Sequence, residues 1–189
     1  MLFNSPQFVL LFLPIAFAGF AFLASRGWND GAKLWVVAAS LVFYSWWRPE
    51  NLPLLVGSIA ANYAIGRRLV QAPSRGLLTL GIVLNVLFLG YFKYTMFLAS
   101  AADSLFDAGW TAPRILLPLG ISFYTFQQIG FLVDANGGRI KLPRPLDYAA
   151  FVSFFPQLIS GPITHHREMV PQFDDPRVSA RVGTSSRRA

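Results

Sequence analysis

The chain has 189 residues, of which 54% are hydrophobic and only 13% are charged, and its formal net charge is +7. Soluble domains contain about 25% charged residues, and here the charges lie in short clusters between long apolar runs, which is typical of a polytopic membrane protein. The absence of cysteine excludes disulfides, thiolate zinc sites and cysteine nucleophiles, and basic residues that flank apolar runs without forming one stripe argue against nucleic-acid binding.

Four apolar segments reach or approach the roughly 17 to 25 residues that a membrane-spanning helix needs. In chain order they are Phe8 to Ala24, Ala32 to Trp47, Leu52 to Leu69 and Leu77 to Ser100. The first segment is also compatible with a signal peptide, but no Lys or Arg precedes it. We therefore favour a helix that is retained in the membrane.

Two later apolar stretches are less regular. Leu116 to Val133 has Pro118 near its start, and Tyr148 to Ile163 contains Pro156 and a Gly161-Pro162 pair. Proline interrupts helical hydrogen bonding, and within lipid such a break is tolerated only where protein or water covers the freed backbone groups. The predicted fold is therefore an all-α, polytopic transmembrane bundle with about four regular spans and one or two broken or re-entrant helices.

Lys and Arg in the connecting loops predict the orientation, because cytoplasmic loops carry an excess of basic residues. The first, third and fifth loops hold two, three and three basic residues, including Lys33, Arg68 and Arg144, whereas the second and fourth hold one each. The alternation places the odd loops in the cytoplasm and the N-terminus outside. Aromatic residues such as Trp47 and Trp110 near the outer ends fit the membrane interface.

The last part of the chain differs in composition. Residues 174–189 contain few large apolar side chains and several arginines, a composition that favours disorder. We therefore divide the chain into a membrane domain over residues 1–173 and a polar, basic tail over residues 174–189.

Small and polar residues recur on two of the predicted helices. Ser58, Asn62 and Gly66 follow one another at intervals of four, and Asn85 lies one turn after Gly81. Such residues allow close helix approach and interhelical hydrogen bonds. Packing is the favoured interpretation, and a position along a substrate path is the alternative.

A more specific pattern begins at Gly120. Gly120, Tyr124, Gln127, Phe131 and Asp134 recur at intervals of 4, 3, 4 and 3, so that they share one helix face; we call it the Gly120–Asp134 face. Polar groups at membrane depth should face protein or a wet cavity. This face is predicted either to line a functional cavity or to form a polar packing network. The Asp134 carboxylate is predicted either to mark the cytoplasmic end of the helix or to hydrogen-bond a neighbouring loop.

His165 and His166 are the two histidines of the chain. Histidine is the natural acid or base near neutral pH, but a catalytic role needs an orienting partner or a substrate hydroxyl within reach. Hydrogen bonding in a loop or at the interface is therefore the default interpretation. The sequence contains no metal-ligand cluster and no phosphate-binding glycine loop.

Several segments resemble the membrane-bound O-acyltransferase (MBOAT) superfamily, most closely the bacterial alginate O-acetyltransferases. They are Met1-Leu-Phe-Asn-Ser-Pro-Gln-Phe, Tyr44-Ser-Trp-Trp, Leu117-Pro-Leu-Gly-Ile-Ser-Phe-Tyr-Thr-Phe-Gln, Phe151-Val-Ser-Phe-Phe-Pro-Gln-Leu-Ile-Ser-Gly-Pro-Ile and Pro171-Gln-Phe.

The resemblance implies a membrane O-acyltransferase of the bacterial inner membrane. An acetyl group would pass from a cytoplasmic donor, with acetyl-CoA as the candidate and no bound cofactor, through a tunnel to an acceptor hydroxyl on an exopolysaccharide such as alginate. Partner acetylation proteins would act with it, and Gly120, Tyr124, Gln127, Asp134, His165 and His166 are the candidates for tunnel lining.

The family's catalytic histidine belongs to a later part of longer chains, so no catalytic residue is assigned here. The sequence looks like an N-terminal fragment that is inactive alone. The alternatives are a non-catalytic membrane scaffold and a small transporter, although transporters usually show repeated halves with paired broken helices. A fragment is expected to leave the Gly120–Asp134 face uncovered.

Overall fold

The computed structural model describes residues 5–46, 48–106 and 117–160. Within these ranges the chain is helical. Its α-helices are Leu13–Ser25 (α1), Asn29–Ser45 (α2), Leu52–Gln71 (α3), Arg75–Phe106 (α4), Ile121–Asn136 (α5), Pro145–Ser153 (α6) and Phe155–Ser160 (α7). Some sequence predictions concern residues outside these ranges: Trp47, Trp110, the Gly161-Pro162 pair, His165, His166 and the tail at 174–189.

All four apolar segments form helices, but they differ in their suitability as membrane spans. The π-helical segment Phe8–Phe12 continues into α1, and the joint helix Phe8–Ser25 has a mean hydropathy of 2.3. The Arg75–Thr95 part of α4 has a mean hydropathy of 1.7. These two helices are long and apolar enough to cross a bilayer. Helices α2 and α3 do not meet both conditions, because α2 has only 17 residues and α3, with 20 residues, is less apolar than the two candidate spans.

Proline lies at the start of two helices. Pro53 and Pro145 are each in the first turn of their helix, where the missing N–H would have no partner inside the helix in any case. Pro14 instead lies within the continuous helix Phe8–Ser25, close to the point where the π-helical segment passes into α1.

The predicted break near Pro156 is present. Helix α6 ends at Ser153, Phe154 leaves the helical conformation, and α7 starts at Phe155. The Phe155 N–H donates to Ser40 Oγ on α2 over 3.2 Å in a buried position. A neighbouring helix therefore covers a backbone group that the break exposes, as a break within lipid requires.

The odd loops lie at the same end of the bundle. Arg144, at the start of α6, binds Asp30 at the start of α2, which joins the fifth loop to the first. The Ser74 N–H before α4 donates to Asn136 Oδ1 at the end of α5 over 2.9 Å, which joins the third loop to the fifth. The charge pattern predicted this grouping.

Helix α5 lies at the centre of the bundle, in contact with α3, α4 and α6. The Gly120–Asp134 face is buried: Tyr124 is 0% exposed, Gln127 3% and Asp134 7%. The expectation that this face is left uncovered is therefore wrong, because helices present in this chain already cover it.

Two glycines allow α5 to approach its neighbours. A Cβ added at Gly66 on α3 would lie 2.2 Å from the Phe131 ring, and one added at Gly81 on α4 would lie 2.8 Å from Leu132. Both distances are far below van der Waals contact. Glycine at these positions therefore sets the spacing between α5 and the two helices beside it.

Replacing Gly66 by alanine is expected to destabilise the protein. Overpacking against Phe131 costs about 1–3 kcal/mol, and the better helix propensity of alanine offsets about 0.5–1 kcal/mol. The net loss, up to about 2 kcal/mol, is measurable by unfolding in mixed micelles. Gly57→Ala is the matched control on the same helix, because no atom lies within 4 Å of its added Cβ. Equal stability of the two variants would contradict the packing.

Candidate functional site

A hydrogen-bonded network of polar side chains joins α3, α4 and α5. Its members are Ser58 and Asn62 on α3, Asn85 on α4 and Gln128 on α5, and we call it the amide network. Asn62, Asn85 and Gln128 are 4%, 5% and 0% exposed. The network therefore lies in the interior of the bundle.

The amide network is closely connected. Gln128 Oε1 accepts from Ser58 Oγ and from Asn62 Nδ2, both over 2.7 Å. Asn62 and Asn85 pair reciprocally, with Asn85 Nδ2 donating to Asn62 Oδ1 over 2.7 Å and Asn62 Nδ2 donating to Asn85 Oδ1 over 3.2 Å. Asn85 Nδ2 also donates to the Gly81 carbonyl over 2.8 Å. These bonds fix the three helices relative to one another.

The network favours the packing interpretation of Ser58, Asn62 and Asn85. Sequence reasoning missed Gln128, the member on which two of the bonds converge, because it does not share the register of the Gly120–Asp134 face. The signal was the adjacent pair Gln127-Gln128, since neighbouring residues on a helix point about 100° apart and serve different partners.

The Gly120–Asp134 face is structured differently at its two ends. Gly120 has φ of +67° and precedes α5, a left-handed conformation that favours glycine, so its role lies in the backbone. Asp134 lies 3.6 Å from Arg139 in the fifth loop, in keeping with the expected contact to a neighbouring loop. Between these ends, the Phe131 ring packs 4.4 Å from the Tyr148 ring of α6.

The middle of the face contains buried polar groups that lack partners. Neither Nε2 nor Oε1 of Gln127 has a hydrogen-bond partner among the described residues. The Tyr124 hydroxyl lies near that of Tyr44 on α2, but not in hydrogen-bond geometry. Beside this face, the Thr125 hydroxyl is also unpartnered within the described part of the chain. Each such group costs about 1–3 kcal/mol of stability.

Buried polar groups without partners point to a functional use, since native proteins contain few of them. A primary amide such as that of Gln127 can both donate and accept hydrogen bonds. It can therefore contact an acyl carbonyl oxygen or a hydroxyl that enters the bundle. Tyr124, Gln127 and Asp134 are lining candidates that lie together on one buried face of α5.

A second group of interacting residues lies at the end of the bundle that holds the odd loops. Lys33 Nζ contacts Asp147 Oδ1 at 2.8 Å, with both side chains at most 8% exposed. Arg144 Nε donates to Asp147 Oδ2 over 3.0 Å, and its two terminal nitrogens bind the Asp30 carboxylate at 2.6 and 3.0 Å. We call these four residues the charge cluster. From the sequence, Lys33 and Arg144 were interpreted only as basic residues of the first and fifth loops.

Hydrogen bonding governs the pKa values in the charge cluster. Hydrogen bonds from Arg144 lower the pKa of Asp30. Burial of the Asp147 carboxyl opposes its ionisation, but hydrogen bonds from Arg144 and Lys33 outweigh this effect and lower its pKa. Both carboxylates are therefore ionised at neutral pH, and the cluster holds two positive and two negative charges.

The last two candidates for tunnel lining, His165 and His166, lie outside the described residues. Among residues 5–46, 48–106 and 117–160, no three His, Asp or Glu side chains lie close enough to hold a metal ion.

Comparison with known proteins identifies relatives of this chain. It is 42% identical over 93% of its length to the peptidoglycan O-acetyltransferase of Helicobacter pylori. It is 39% identical over 92% of its length to the probable alginate O-acetylase AlgI of Azotobacter vinelandii, and 38% identical over 92% to that of Pseudomonas aeruginosa. No family model matches the sequence, and no solved structure matches it.

The chain is shorter than these relatives. The matched region covers 39% of the Helicobacter protein and 36% and 35% of the two alginate O-acetylases. The chain thus spans less than two fifths of the length of the relatives it matches.

Proposed function

The chain belongs to the membrane-bound O-acyltransferase superfamily, and on that premise we propose that it forms part of an enzyme that O-acetylates a cell-envelope polysaccharide. The observation that carries the proposal is the similarity of nearly the whole chain to proteins named as O-acetyltransferases. Its membrane location is supported by the same relatives and by the two apolar helices Phe8–Ser25 and Arg75–Thr95.

Within such an enzyme, the middle of the Gly120–Asp134 face would contact the acyl group or the acceptor. Gln127 is 3% exposed and has no partner in the described part of the chain. Its amide can donate to a carbonyl oxygen on which negative charge develops during acyl transfer, and fixed donors of this kind lower the barrier. The amide network beside it keeps α5 in place.

The reaction moves one acetyl group. The donor, with acetyl-CoA as the candidate, loses its acetyl carbon–sulfur bond, the acceptor hydroxyl forms a new ester bond, and the hydroxyl proton passes to the released thiolate. The acceptor is a polysaccharide hydroxyl on peptidoglycan or on an exopolysaccharide such as alginate. Delivery to an exopolysaccharide would involve partner acetylation proteins.

The proposed topology is multi-pass in the bacterial inner membrane, with a periplasmic N-terminus. The excess of basic residues in the odd loops supports it, and so do the contacts from Arg144 to Asp30 and from Ser74 to Asn136, which hold those loops at one end. In this topology α2 and α3 also cross the bilayer, and the buried pairing of their polar residues reduces the cost of crossing.

A non-catalytic membrane scaffold is the second candidate function. The favouring observation is that the amide network and the charge cluster hold the described helices together through contacts that need no substrate. A scaffold would bind a partner without transferring acetyl groups.

A chimera of this chain with a longer relative tests the proposed function. The region of the Helicobacter peptidoglycan O-acetyltransferase that matches this chain is exchanged for the chain itself, and the chimera is expressed in cells that lack their own enzyme. We expect base-labile O-acetate to return to the peptidoglycan, because the two regions share 42% identity. The chain expressed alone is expected to add no O-acetate to the peptidoglycan.

Acetate release is measured by chromatography after mild alkaline treatment, with the complete relative as the reference. A chimera that reaches the membrane at the level of the complete relative, but leaves the peptidoglycan without O-acetate, would contradict the proposed function and favour the scaffold.

A further inference from the structure

Two tyrosine hydroxyls, on α2 and α5, lie near each other inside the bundle. They belong to Tyr44 and Tyr124, whose side chains are both buried, and we call these residues the tyrosine pair. Neither hydroxyl makes a hydrogen bond to any of the described residues. Because a buried hydroxyl has lost its bonds to water, two of them side by side without partners indicate that a third group supplies the missing bonds.

The tyrosine pair lies at the end of the bundle opposite the odd loops. Helix α2 starts in the first loop, and Tyr44 is its last residue but one. Helix α5 ends beside the third loop, where Asn136 accepts from the Ser74 N–H, and Tyr124 lies in its first turn. Each tyrosine is therefore within about 5.4 Å, one helical turn, of the outer end of its helix. In the proposed topology a group from the periplasm reaches the pair without passing the charge cluster.

The break between α6 and α7 lies against the same face of α2. Ser40, one turn before Tyr44, accepts from the Phe155 N–H at the break, and residues four apart share a helix face. The hydroxyl of Ser153, the last residue of α6, is buried and also lacks a partner in the described part of the chain. Non-helical backbone at membrane depth is tolerated where it is buried in protein or lines a wet cavity. The break therefore fits a polar site on this side of the bundle.

The chemistry of the tyrosine pair fits an alcohol. A phenol hydroxyl both donates and accepts hydrogen bonds, so an alcohol between the two tyrosines can donate to one oxygen and accept from the other. An acyl carbonyl only accepts hydrogen bonds and leaves the lone pairs of both tyrosines unused. The amide of Gln127, three residues further along α5 and deeper in the bundle, can instead donate to such a carbonyl.

We propose that the tyrosine pair binds the hydroxyl of the polysaccharide acceptor, which enters from the outer side of the bundle. The inference rests on the proposed function and adds Tyr44 of α2 to the groups that contact a substrate. In this arrangement the acceptor hydroxyl lies at the outer ends of α2 and α5, and the acyl carbonyl lies one turn deeper, at Gln127. A buried water also donates and accepts hydrogen bonds, and the test below separates it from the acceptor.

Binding of an acceptor to the chimera described above tests the proposal. The probe is a radiolabelled disaccharide of N-acetylglucosamine and N-acetylmuramic acid, measured by equilibrium dialysis in detergent micelles. Tyr44→Phe and Tyr124→Phe each remove one hydroxyl, and each is expected to raise the Kd roughly two- to tenfold, the usual effect of losing one hydrogen bond. Tyr148→Phe is the matched control and is expected to leave the Kd unchanged. Its hydroxyl is equally buried and unpartnered among the described residues, but it lies in the first turn of α6, beside the odd loops.

Unfolding of the chain alone in mixed micelles separates a ligand site from a structural contact. If the hydroxyls serve a ligand, the two single variants and the double variant are expected to unfold at the midpoint of the unmodified chain or above it, since each substitution removes a polar group that no described residue satisfies. If the hydroxyls bond to each other or share a structural water, each single variant lowers the midpoint by several degrees, and the double variant lowers it little further.

Three outcomes would overturn the inference. They are no saturable binding of the disaccharide by the unsubstituted chimera, a Kd that Tyr44→Phe and Tyr124→Phe raise no more than Tyr148→Phe does, and lowered midpoints of both single variants of the chain alone. Failure of the proposed function gives a different result. A chimera that binds the disaccharide through the tyrosine pair, but adds no O-acetate to the peptidoglycan, would contradict acetyl transfer and leave the binding site in place.

Discussion

Replacing Asp147 by asparagine is expected to lower the free energy of unfolding by about 3–5 kcal/mol, the usual cost of removing one partner of a buried ion pair. Lys33 is 2% exposed, and its ammonium lies 2.8 Å from the Asp147 carboxylate. The asparagine amide removes the carboxylate that contacts this buried charge, and it weakens the contact between Arg144 and α6, because a neutral amide offers one acceptor oxygen where the carboxylate offers two. Unfolding in mixed micelles with increasing SDS measures the change.

The chain offers a matched control for this prediction. Arg48 and Glu50 form an exposed pair at 3.7 Å, so Glu50→Gln is expected to change stability by less than about 1 kcal/mol. The double substitution Lys33→Met/Asp147→Leu removes both charges and is expected to recover most of the loss, since apolar residues often replace a buried pair without cost. An Asp147→Asn variant as stable as Glu50→Gln would contradict the buried pair.

The same pair predicts a dependence on pH. Because the pKa of Asp147 is lower in the folded protein, the carboxylate contributes its stability above the unfolded pKa of about 3.9, and this contribution is lost as the pH falls through the folded value. The stability difference between the unmodified chain and Asp147→Asn is therefore expected to be constant from about pH 5 to 8 and to shrink below about pH 4.

Asn62→Leu is expected to lower the free energy of unfolding by about 2–3 kcal/mol, because one substitution removes two interhelical contacts. Asn85 loses its reciprocal partner, and Gln128 loses one of its two donors. Interhelical hydrogen bonds in membranes are worth about 0.6 kcal/mol on average and up to about 1.7 kcal/mol. The larger total expected here follows from burial, since the groups left behind cannot reach water.

A double-mutant cycle with Asn85→Leu separates the hydrogen bonds from side-chain shape. If the Asn62–Asn85 pair contributes as its geometry indicates, the double variant loses less stability than the two single variants together. Strict additivity would mean that the pair makes no energetic contact and would contradict the amide network.

Much of the fold follows from local patterns. Long apolar runs bounded by proline and basic residues predicted the helices of residues 8–24, 32–47, 52–69 and 77–100, and each forms a helix over nearly these bounds. Pro156 predicted the break between α6 and α7. Loop charge predicted the grouping of the odd loops that the Arg144–Asp30 contact shows. These features depend on residues that are close in sequence.

Features that depend on distant residues were not predictable. Lys33 and Asp147 are 114 positions apart, and a lone lysine at the edge of an apolar run resembles any loop charge. The spacing of Ser58, Asn62 and Asn85 indicated packing, but nothing local indicated Gln128 as the partner. An uncovered surface was expected on α5 but that face is buried, because helix periodicity shows which residues share a face and not which neighbour covers it.

The central claim is that the Gly120–Asp134 face serves acyl transfer and is not only a packed surface. Gln127→Leu in the chimera tests it most directly, because this substitution removes a buried amide that has no partner among the described residues. We expect O-acetate on the peptidoglycan to fall at least about tenfold, the effect of losing about 1.4 kcal/mol of transition-state stabilisation, and the unfolding midpoint to be unchanged or raised. Undiminished O-acetylation by the Gln127→Leu chimera would contradict the claim.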